Sequence, residues 1–211
     1  MTTADIAFED LAGSDLVPGC TYRGGTKGHQ GDDPLHPLLG VGNAGGFRAW
    51  GRGRARYAAL FSTGVETEWP DRFVDKGSRF VYYGDQRRPG LSVLDTPRGG
   101  NRLLARVFDL AAEGGVDDRA MIPPFFLFTK TGTGRDMIFH GLAVPSLIDG
   151  SGLLETTRDF GKGAVSNFEA TFDVLRPRII GRGWIDALRL DEPLSDHGPA
   201  EWFKWLVLGH A

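Results

Sequence analysis

Aromatic rings and carboxylates occur together in and beside the apolar runs of this 211-residue chain. In the stretch RFVYYGDQRRPG, residues 79–90, two tyrosines end an apolar run and an acid follows them. Four aromatic residues and two acids share this kind of placement: Tyr57, Trp69, Tyr82, Tyr83, Asp71 and Asp85. Aromatic faces stack on planar ligands, and a carboxylate accepts hydrogen bonds from an amine at a ligand edge. The combination indicates a pocket for a planar ligand such as a flipped nucleobase.

Arginines are clustered around the same segments. They are Arg48, Arg52, Arg54 and Arg56 in one cluster, and Arg87, Arg88, Arg98, Arg102 and Arg106 in another. The guanidinium fork binds phosphate with two hydrogen bonds. Local basic patches can therefore contact a phosphodiester backbone although the net charge of the chain is −3.

Short apolar runs bounded by Gly, Pro or charged residues predict the strands that position these side chains. The runs are GGFRAWG, YAALFST, SRFVYYG, FFLFTKTG, MIFHGLAV and FEATFDVL. Two segments have helical patterns, within residues 100–115 and 198–211. Residues 13–46 are rich in Gly and Pro and predict a long ordered loop, and loops of this length are usually functional. We expect one α+β domain built on a strongly bent, mixed or antiparallel sheet with flanking helices.

Enzyme motifs have little support in the sequence. No G-x-S-x-G elbow is present, the lone Cys20 has no partner motif, and no acid followed two residues later by Lys comes after Asp71 on a plausible strand. The segment GHQGDDPLHP could place four metal ligands, His29, Asp32, Asp33 and His36, although capping of a turn by Asp32 or Asp33 is the preferred interpretation. We predict no catalytic residue, no metal and no cofactor, and keep a metal-dependent nuclease or hydrolase as the alternative.

The N-terminus and the hydropathy of the chain argue against export and membrane insertion. The first fifteen residues are acidic, unlike a signal peptide, and no stretch reaches the roughly 18–20 apolar residues of a membrane helix. We therefore expect a cytoplasmic protein with no membrane partner.

Five blocks of sequence resemble one family. GGFRAWG, LFSTGVETEWPD, GSRFVYYGDQRRPG, LDTPRGGN and IPPFFLF, in this order, resemble the N-terminal SRA-like domain of AspBHI-type modification-dependent restriction endonucleases, over roughly residues 20–185. That family is similar to the SET-and-RING-associated domain, a saddle-shaped, barrel-like bent sheet (SRA/PUA-like) that flips 5-methylcytosine out of duplex DNA into an aromatic pocket. The resemblance implies a single SRA-like DNA-binding domain over residues 1–211, with an N-terminal extension (1–19) and a C-terminal helical segment (186–211).

The resemblance also implies roles for individual residues. Tyr82 would stack on the flipped base and Asp71 would hydrogen-bond its Watson–Crick edge, with Tyr57 or Trp69 as the second ring. The implied base pocket is Tyr57, Trp69, Asp71, Tyr82 and Tyr83. The implied contacts to the DNA backbone are Gly45, Gly46, Arg48, Arg87, Arg88, Arg98 and Asn101, with helix capping as the alternative for the last two. Asp85 would fix the turn that carries the arginines.

The resemblance stops before the nuclease domain of those enzymes, so we expect a stand-alone reader of 5-methylcytosine in double-stranded DNA rather than an enzyme. A DNA-recognition subunit of a modification-dependent restriction system is the related alternative, with a homodimer or a separate nuclease as partner. Four residues near the C-terminus would either close the core or form a dimer face: Trp202, Phe203, Trp205 and Leu206. The choice between 5-methyl- and 5-hydroxymethylcytosine stays open.

Overall fold

A mixed β-sheet is the main element of the computed structural model, which describes residues 5–147 and 152–210. Ten strands are found among these residues. They are β1 (Asp5–Ile6), β2 (Thr21–Tyr22), β3 (Phe47–Trp50), β4 (Tyr57–Ser62), β5 (Arg72–Val74), β6 (Arg79–Tyr83), β7 (Phe125–Lys130), β8 (Met137–Pro145), β9 (Leu153–Asp159) and β10 (Ala164–Leu175). The main path is β3-β4-β7-β8-β10-β6-β5, and β9 joins through β10, β2 through β8 and β1 through β2.

Strand pairing makes the sheet mixed and open. β4 pairs with β7 in parallel, as β1 does with β2, and the other pairs are antiparallel. β3 and β5 are the two ends of the main path, so the curved sheet does not close into a barrel. This architecture confirms the predicted α+β class with a bent mixed sheet.

Helices cover the sheet and its ends. They are α1 (Leu35–Leu39), α2 (Gly100–Glu113), α3 (Val116–Ala120), α4 (Arg182–Arg189) and α5 (Ala200–Leu208), with 3-10 turns at Phe8–Gly13, Gln30–Asp32 and Asp75–Gly77. The glycine after α2, Gly114, adopts a left-handed conformation with φ of 80°, which ends the helix where the sequence predicts. Residues 1–4 of the predicted N-terminal extension and residue 211 of the predicted C-terminal segment lie outside the described residues.

Two hydrophobic clusters lie on either side of β6. Successive side chains of a strand point to opposite faces. Phe80 and Tyr82 therefore join the main core, which the helices α2, α4 and α5 cover, whereas Val81 and Tyr83 join a smaller cluster around Trp69. The end of β6 thus delivers one tyrosine to each face of the sheet.

The C-terminal helix α5 closes the main core. Trp202, Trp205 and Leu206 are at most 4% exposed and pack against the core, and Phe203 is partly buried there. Core closure, the first of the two expected roles, accounts for these side chains. No helix within the described ranges is long and apolar enough to span a membrane.

Candidate functional site

A cavity of about 560 Å³ lies where several strand ends meet. Its walls come from the loop before β3, the segments that follow β4 and β6, and the turn between β7 and β8. Eight of the predicted site residues line it: Gly45, Gly46, Arg48, Trp69, Asp71, Tyr82, Tyr83 and Arg87. Residues that are far apart in the sequence are therefore brought together around one space.

Asp71 lies in the cavity wall just before β5. Its Oδ1 accepts a 2.8 Å hydrogen bond from the backbone N–H of Tyr83, and the Ser62 hydroxyl also donates to the carboxylate. Burial raises the pKa of Asp71 to about 6, against the opposing effects of these two bonds and of the Arg87 charge. A carboxylate offers about four acceptor positions, so Asp71 retains capacity for a donor on a ligand.

Tyr82 reaches the cavity from the core side of β6. Its ring packs against Phe47 with centroids 6.4 Å apart, and its hydroxyl donates a hydrogen bond to Asp85. Burial raises the pKa of Tyr82 well above its usual value, and the nearby charges of Asp85 and Asp71 raise it further. Only 2% of the residue is exposed, so Tyr82 is a core residue whose polar end faces the site. The Tyr82 ring therefore belongs to the core as well as to the cavity wall.

Tyr83 and Trp69 form the wall on the opposite face of β6. Their rings are 5.5 Å apart and tilted by 48°. The Tyr83 hydroxyl donates to Glu169 over 2.6 Å and accepts a 3.0 Å bond from Arg158, whose guanidinium lies 4.9 Å from the Trp69 ring centroid. This network fixes both rings in place.

The loop before β3 forms another part of the wall and depends on Gly46. A side chain at this position would place a Cβ atom 2.9 Å from both the Tyr82 hydroxyl and the Phe61 carbonyl oxygen, which leaves no room for one. The loop is held by Arg48, which donates to the Gly45 carbonyl at 2.7 Å and to Asp33 at 2.8 Å. Arg48 is only 5% exposed, so the structure makes it an internal support of the loop and not the phosphate contact expected from the sequence.

The turn after β6 presents Arg87 and Arg88 at the surface. Both backbone N–H groups donate to the buried Gln86 Oε1 at 3.0 Å, and Gln86 Nε2 donates to the carbonyls of Ser92 and Asp95. Arg87 lines the cavity, whereas Arg88 is exposed and is not part of the lining. Gln86 is thus the residue that shapes this arginine turn.

Two predicted site residues lie in the interior, away from the cavity lining. Tyr57 is fully buried, stacks on Trp50 at 5.6 Å and hydrogen-bonds the Leu39 carbonyl at 2.5 Å, so the structure does not bring it to the pocket. Asn101 is fully buried as well, and its amide bonds the backbone N–H of Asp85 and the carbonyl of Val93, which excludes the expected phosphate contact.

Arg98 lies beside the cavity without lining it. Its side chain is exposed and donates to the carbonyl of Ala44, in the loop that forms part of the cavity wall. Arg98 is therefore at the surface next to the cavity, and its expected contact with the DNA backbone stays a prediction.

The histidine and aspartate cluster of residues 29–36 has local structural partners. Asp32 caps the backbone N–H groups of Gly28 and His29, and Asp33 bonds the N–H of Leu35 as well as Arg48. Among the described residues, no group of three or more His, Cys, Asp or Glu side chains could hold a metal ion. The preferred interpretation, turn capping by these acids, is confirmed.

Several cavity residues were not predicted from the sequence. They are Asp33, Phe61, Glu66, Lys130, Arg135 and Met137 among the lining side chains, and Gln86 behind them. Asp85 was noted beside the tyrosines but assigned to the turn, and the structure also places it in the cavity lining. Lys130 and Arg135 lie at the ends of β7 and of the following turn, where sequence does not indicate which way a side chain points.

Comparison with known proteins identifies the family. Residues 16–211 match the family model described as restriction endonuclease AspBHI N-terminal. The chain belongs to this family. The resemblance drawn from the five sequence blocks is therefore confirmed, and the bent sheet is that of an SRA-like recognition domain.

Solved structures agree with this assignment. The DNA recognition domain of the cytosine modification-dependent restriction endonuclease LpnPI is 30% identical with a TM-score of 0.87, over 100% of this chain and 96% of that one. The DNA modification-dependent restriction endonuclease AspBHI is 36% identical with a TM-score of 0.88, over 98% of this chain and 54% of that one. The chain thus spans about half of AspBHI. No match was found among curated protein sequences.

A more distant structure shares the fold alone. The MspJI restriction endonuclease in complex with a 27-mer oligonucleotide is 23% identical with a TM-score of 0.65, over 91% of this chain and 51% of that one.

Proposed function

We propose that this chain reads modified cytosine, in the first place 5-methylcytosine, in duplex DNA and holds the flipped base in the 560 Å³ cavity. The proposal is supported by homology to the DNA recognition domain of LpnPI, which aligns with nearly the whole chain. It treats residues 1–211 as one recognition domain. The cavity volume lies in the range of roughly 300–1,000 Å³ that is typical of small-ligand sites.

The observation that carries the proposal is the position of Asp71 between aromatic walls. Cytosine presents an N4 amine that donates hydrogen bonds, and an ionised carboxylate only accepts them. Asp71 is held by the Tyr83 N–H while part of its acceptor capacity stays unused. The Trp69 ring and the half-buried Phe61 ring offer apolar surface in the same cavity for the base and its methyl group.

Basic side chains around the cavity are suited to the DNA strand that carries the flipped base. Arg87 and Arg88 are exposed on the turn after β6, and Lys130 and Arg135 line the cavity from the β7–β8 side. Such contacts contribute affinity without sequence information. We infer that they position the duplex, while the pocket supplies the preference for modified cytosine.

The proposal is tested by a gel-shift panel of matched duplexes that contain cytosine, 5-methylcytosine or 5-hydroxymethylcytosine at one position. We expect tighter binding to a modified duplex than to the unmodified one at the same salt concentration. Equal affinity for all three duplexes would contradict the proposal.

We also infer that this chain contributes recognition and not cleavage, because the family match is to the N-terminal region of AspBHI. The chain would then bind DNA in the cytoplasm, and a second copy of the chain or a separate nuclease would act as its protein partner. Methylated plasmid incubated with the protein and Mg²⁺ or Mn²⁺ should stay intact. Specific cleavage that disappears in His29→Ala or Asp33→Ala would overturn this inference, since both residues belong to the cluster considered as a metal site.

A further inference from the structure

A second groove, of about 390 Å³, lies between the β3–β4 hairpin and helix α2. Four arginines line it, Arg54, Arg98, Arg102 and Arg106, and no acidic side chain does. Its floor is apolar and includes Phe47 and Val107. A groove lined by charges of one sign over a low-dielectric surface concentrates its electrostatic potential. The groove therefore favours an anionic ligand.

Three of the arginines form a row. Arg102 and Arg106 lie four residues apart in α2, which places them on one side of the helix, and Arg98 precedes the helix by two residues, just before the left-handed Gly99. The helical rise between Arg102 and Arg106 is about 6 Å. Each strand of duplex DNA carries one phosphate per about 3.4 Å of axis, so these two side chains can face separate phosphates.

The charges of this row are available to a ligand. Arg106 is exposed and has no hydrogen bond or ion pair within the described part of the chain. Arg102 makes one exposed ion pair, 3.2 Å from Asp95, a type of pair that contributes little in water. Arg54 and Arg98 donate only to backbone carbonyls, of Met121 and Ala44. None of these contacts neutralises the groove.

The groove adjoins the proposed base pocket through shared wall contacts. Phe47 forms part of the groove floor and also packs against Tyr82 in the pocket wall. Arg98 lines the groove and bonds Ala44, which lines the pocket. When one base of a nucleic acid occupies the pocket, the backbone next to that base would lie within reach of the arginine row.

We propose that this groove binds the phosphodiester backbone of the duplex that flanks the flipped base. The inference rests on the proposed function and extends it, because it adds a contact surface outside the pocket. The row supplies electrostatic affinity that does not depend on modification, and it fixes the direction in which the duplex leaves the pocket.

The experiment compares Arg102→Gln/Arg106→Gln and the single Arg106→Gln with wild type on a modified and an unmodified duplex at several salt concentrations. Arg178→Gln is the matched control, because Arg178 is also exposed and has no hydrogen bond or ion pair among the described residues, and it does not line the pocket or the groove. Each lost phosphate contact lowers the slope of log K against log salt by about 0.9. We expect a decrease of about 0.9 for Arg106→Gln and about 1.8 for the double variant, and no change for the control.

Both duplexes should lose affinity by the same factor in the groove variants, and Arg102→Lys/Arg106→Lys should keep the wild-type slope. A wild-type slope in the Gln variants, with preference for modified DNA retained, would overturn the groove assignment and leave the proposed function standing, with an acidic protein as the remaining kind of partner. If the wild type showed no preference for modified DNA, and the salt slope were still lower in the Gln variants than in the wild type, the result would support the groove and contradict the proposed reading of modified cytosine. Absence of any DNA binding by wild type would overturn both.

Discussion

Asp71 is the residue whose protonation state bears most directly on the proposed recognition. Its pKa is raised to about 6 because its carboxylate is buried, with the Tyr83 N–H and the Ser62 hydroxyl opposing this shift. The uncharged form is favoured by burial, so this contribution to folding stability is fully present below about pH 4 and is lost as the pH rises through about 6. The ionised form, in which both oxygens only accept hydrogen bonds, therefore predominates only above about pH 6.

The preference for modified DNA should consequently depend on pH. We expect the ratio of affinities for modified and unmodified duplex to fall as the pH decreases from 7.5 to 5, with half of the change near pH 6. The ratio is the quantity to measure, because protonation of histidines affects both duplexes. Asp71→Asn, in which a donor replaces one acceptor, should lose about 1–3 kcal/mol of binding to modified DNA and show a flat ratio. A ratio that rises on acidification would mean that a protonated carboxyl donates to the base.

Tyr82 has a structural role in the core besides the contact with the base that the family resemblance implies, and unfolding of two variants tests the structural role. Tyr82→Ala should lower the free energy of unfolding by about 3 kcal/mol, because it removes a buried ring that packs on Phe47. Tyr82→Phe keeps the ring and removes only the hydroxyl that bonds Asp85, so it should lower the free energy of unfolding by only about 1 kcal/mol. Urea unfolding of the two variants checks this. If Tyr82→Ala were as stable as wild type, the ring would belong to the ligand site and not to the core.

The turn after β6 links the sheet to the surface that is proposed to contact DNA. Gln86 is 1% exposed and satisfies four hydrogen bonds within this turn. The Gln86 side chain pairs with backbone groups that a neighbouring strand would otherwise bind. One buried amide therefore holds the backbone of both Arg87 and Arg88.

Removal of that amide should loosen the arginine turn. Gln86→Ala removes the partner of two carbonyls and two N–H groups that hold the turn together, so we expect a loss of about 1–3 kcal/mol in the free energy of unfolding. Affinity for modified and unmodified duplex should decrease by similar factors, measured by fluorescence anisotropy. Arg88→Gln, which removes charge but keeps the turn, should weaken both duplexes without loss of stability. Selective loss of the preference in Gln86→Ala would instead place Gln86 in the base pocket.

At the scale of the whole molecule, much of the fold followed from the sequence. The six apolar runs form β3, β4, β6, β7, β8 and β10, and the two helical patterns form α2 and α5. Strand β9 was missed because its sequence, LLETTRD, is mostly polar and exposed, as suits a strand that pairs only with β10. Residues 13–46, predicted as a loop, contain the short elements β2 and α1, which are too brief to show periodicity.

Motifs at strand ends drew attention to Asp71 and Tyr82, and both residues line the cavity; their contacts with a base stay a prediction. The site was not predictable where burial decides the role. Arg48 and Asn101 are polar residues beside functional loops, and only the fold shows that both are interior supports. Tyr57 has the same side chain as Tyr82, yet its position at the start of β4 directs it to Leu39 and away from the cavity.

Fluorescence of 2-aminopurine reports directly on the proposed flipping of the modified base into the cavity. The probe is placed next to a single 5-methylcytosine in a duplex, where stacking quenches it, and the same duplex with unmodified cytosine is the control. We predict that saturating protein increases the fluorescence of the modified duplex and leaves the control nearly unchanged, and that Asp71→Asn reduces the increase. Tight, selective binding of the modified duplex without any increase would contradict the account, because the modified base would then be recognised within the helix.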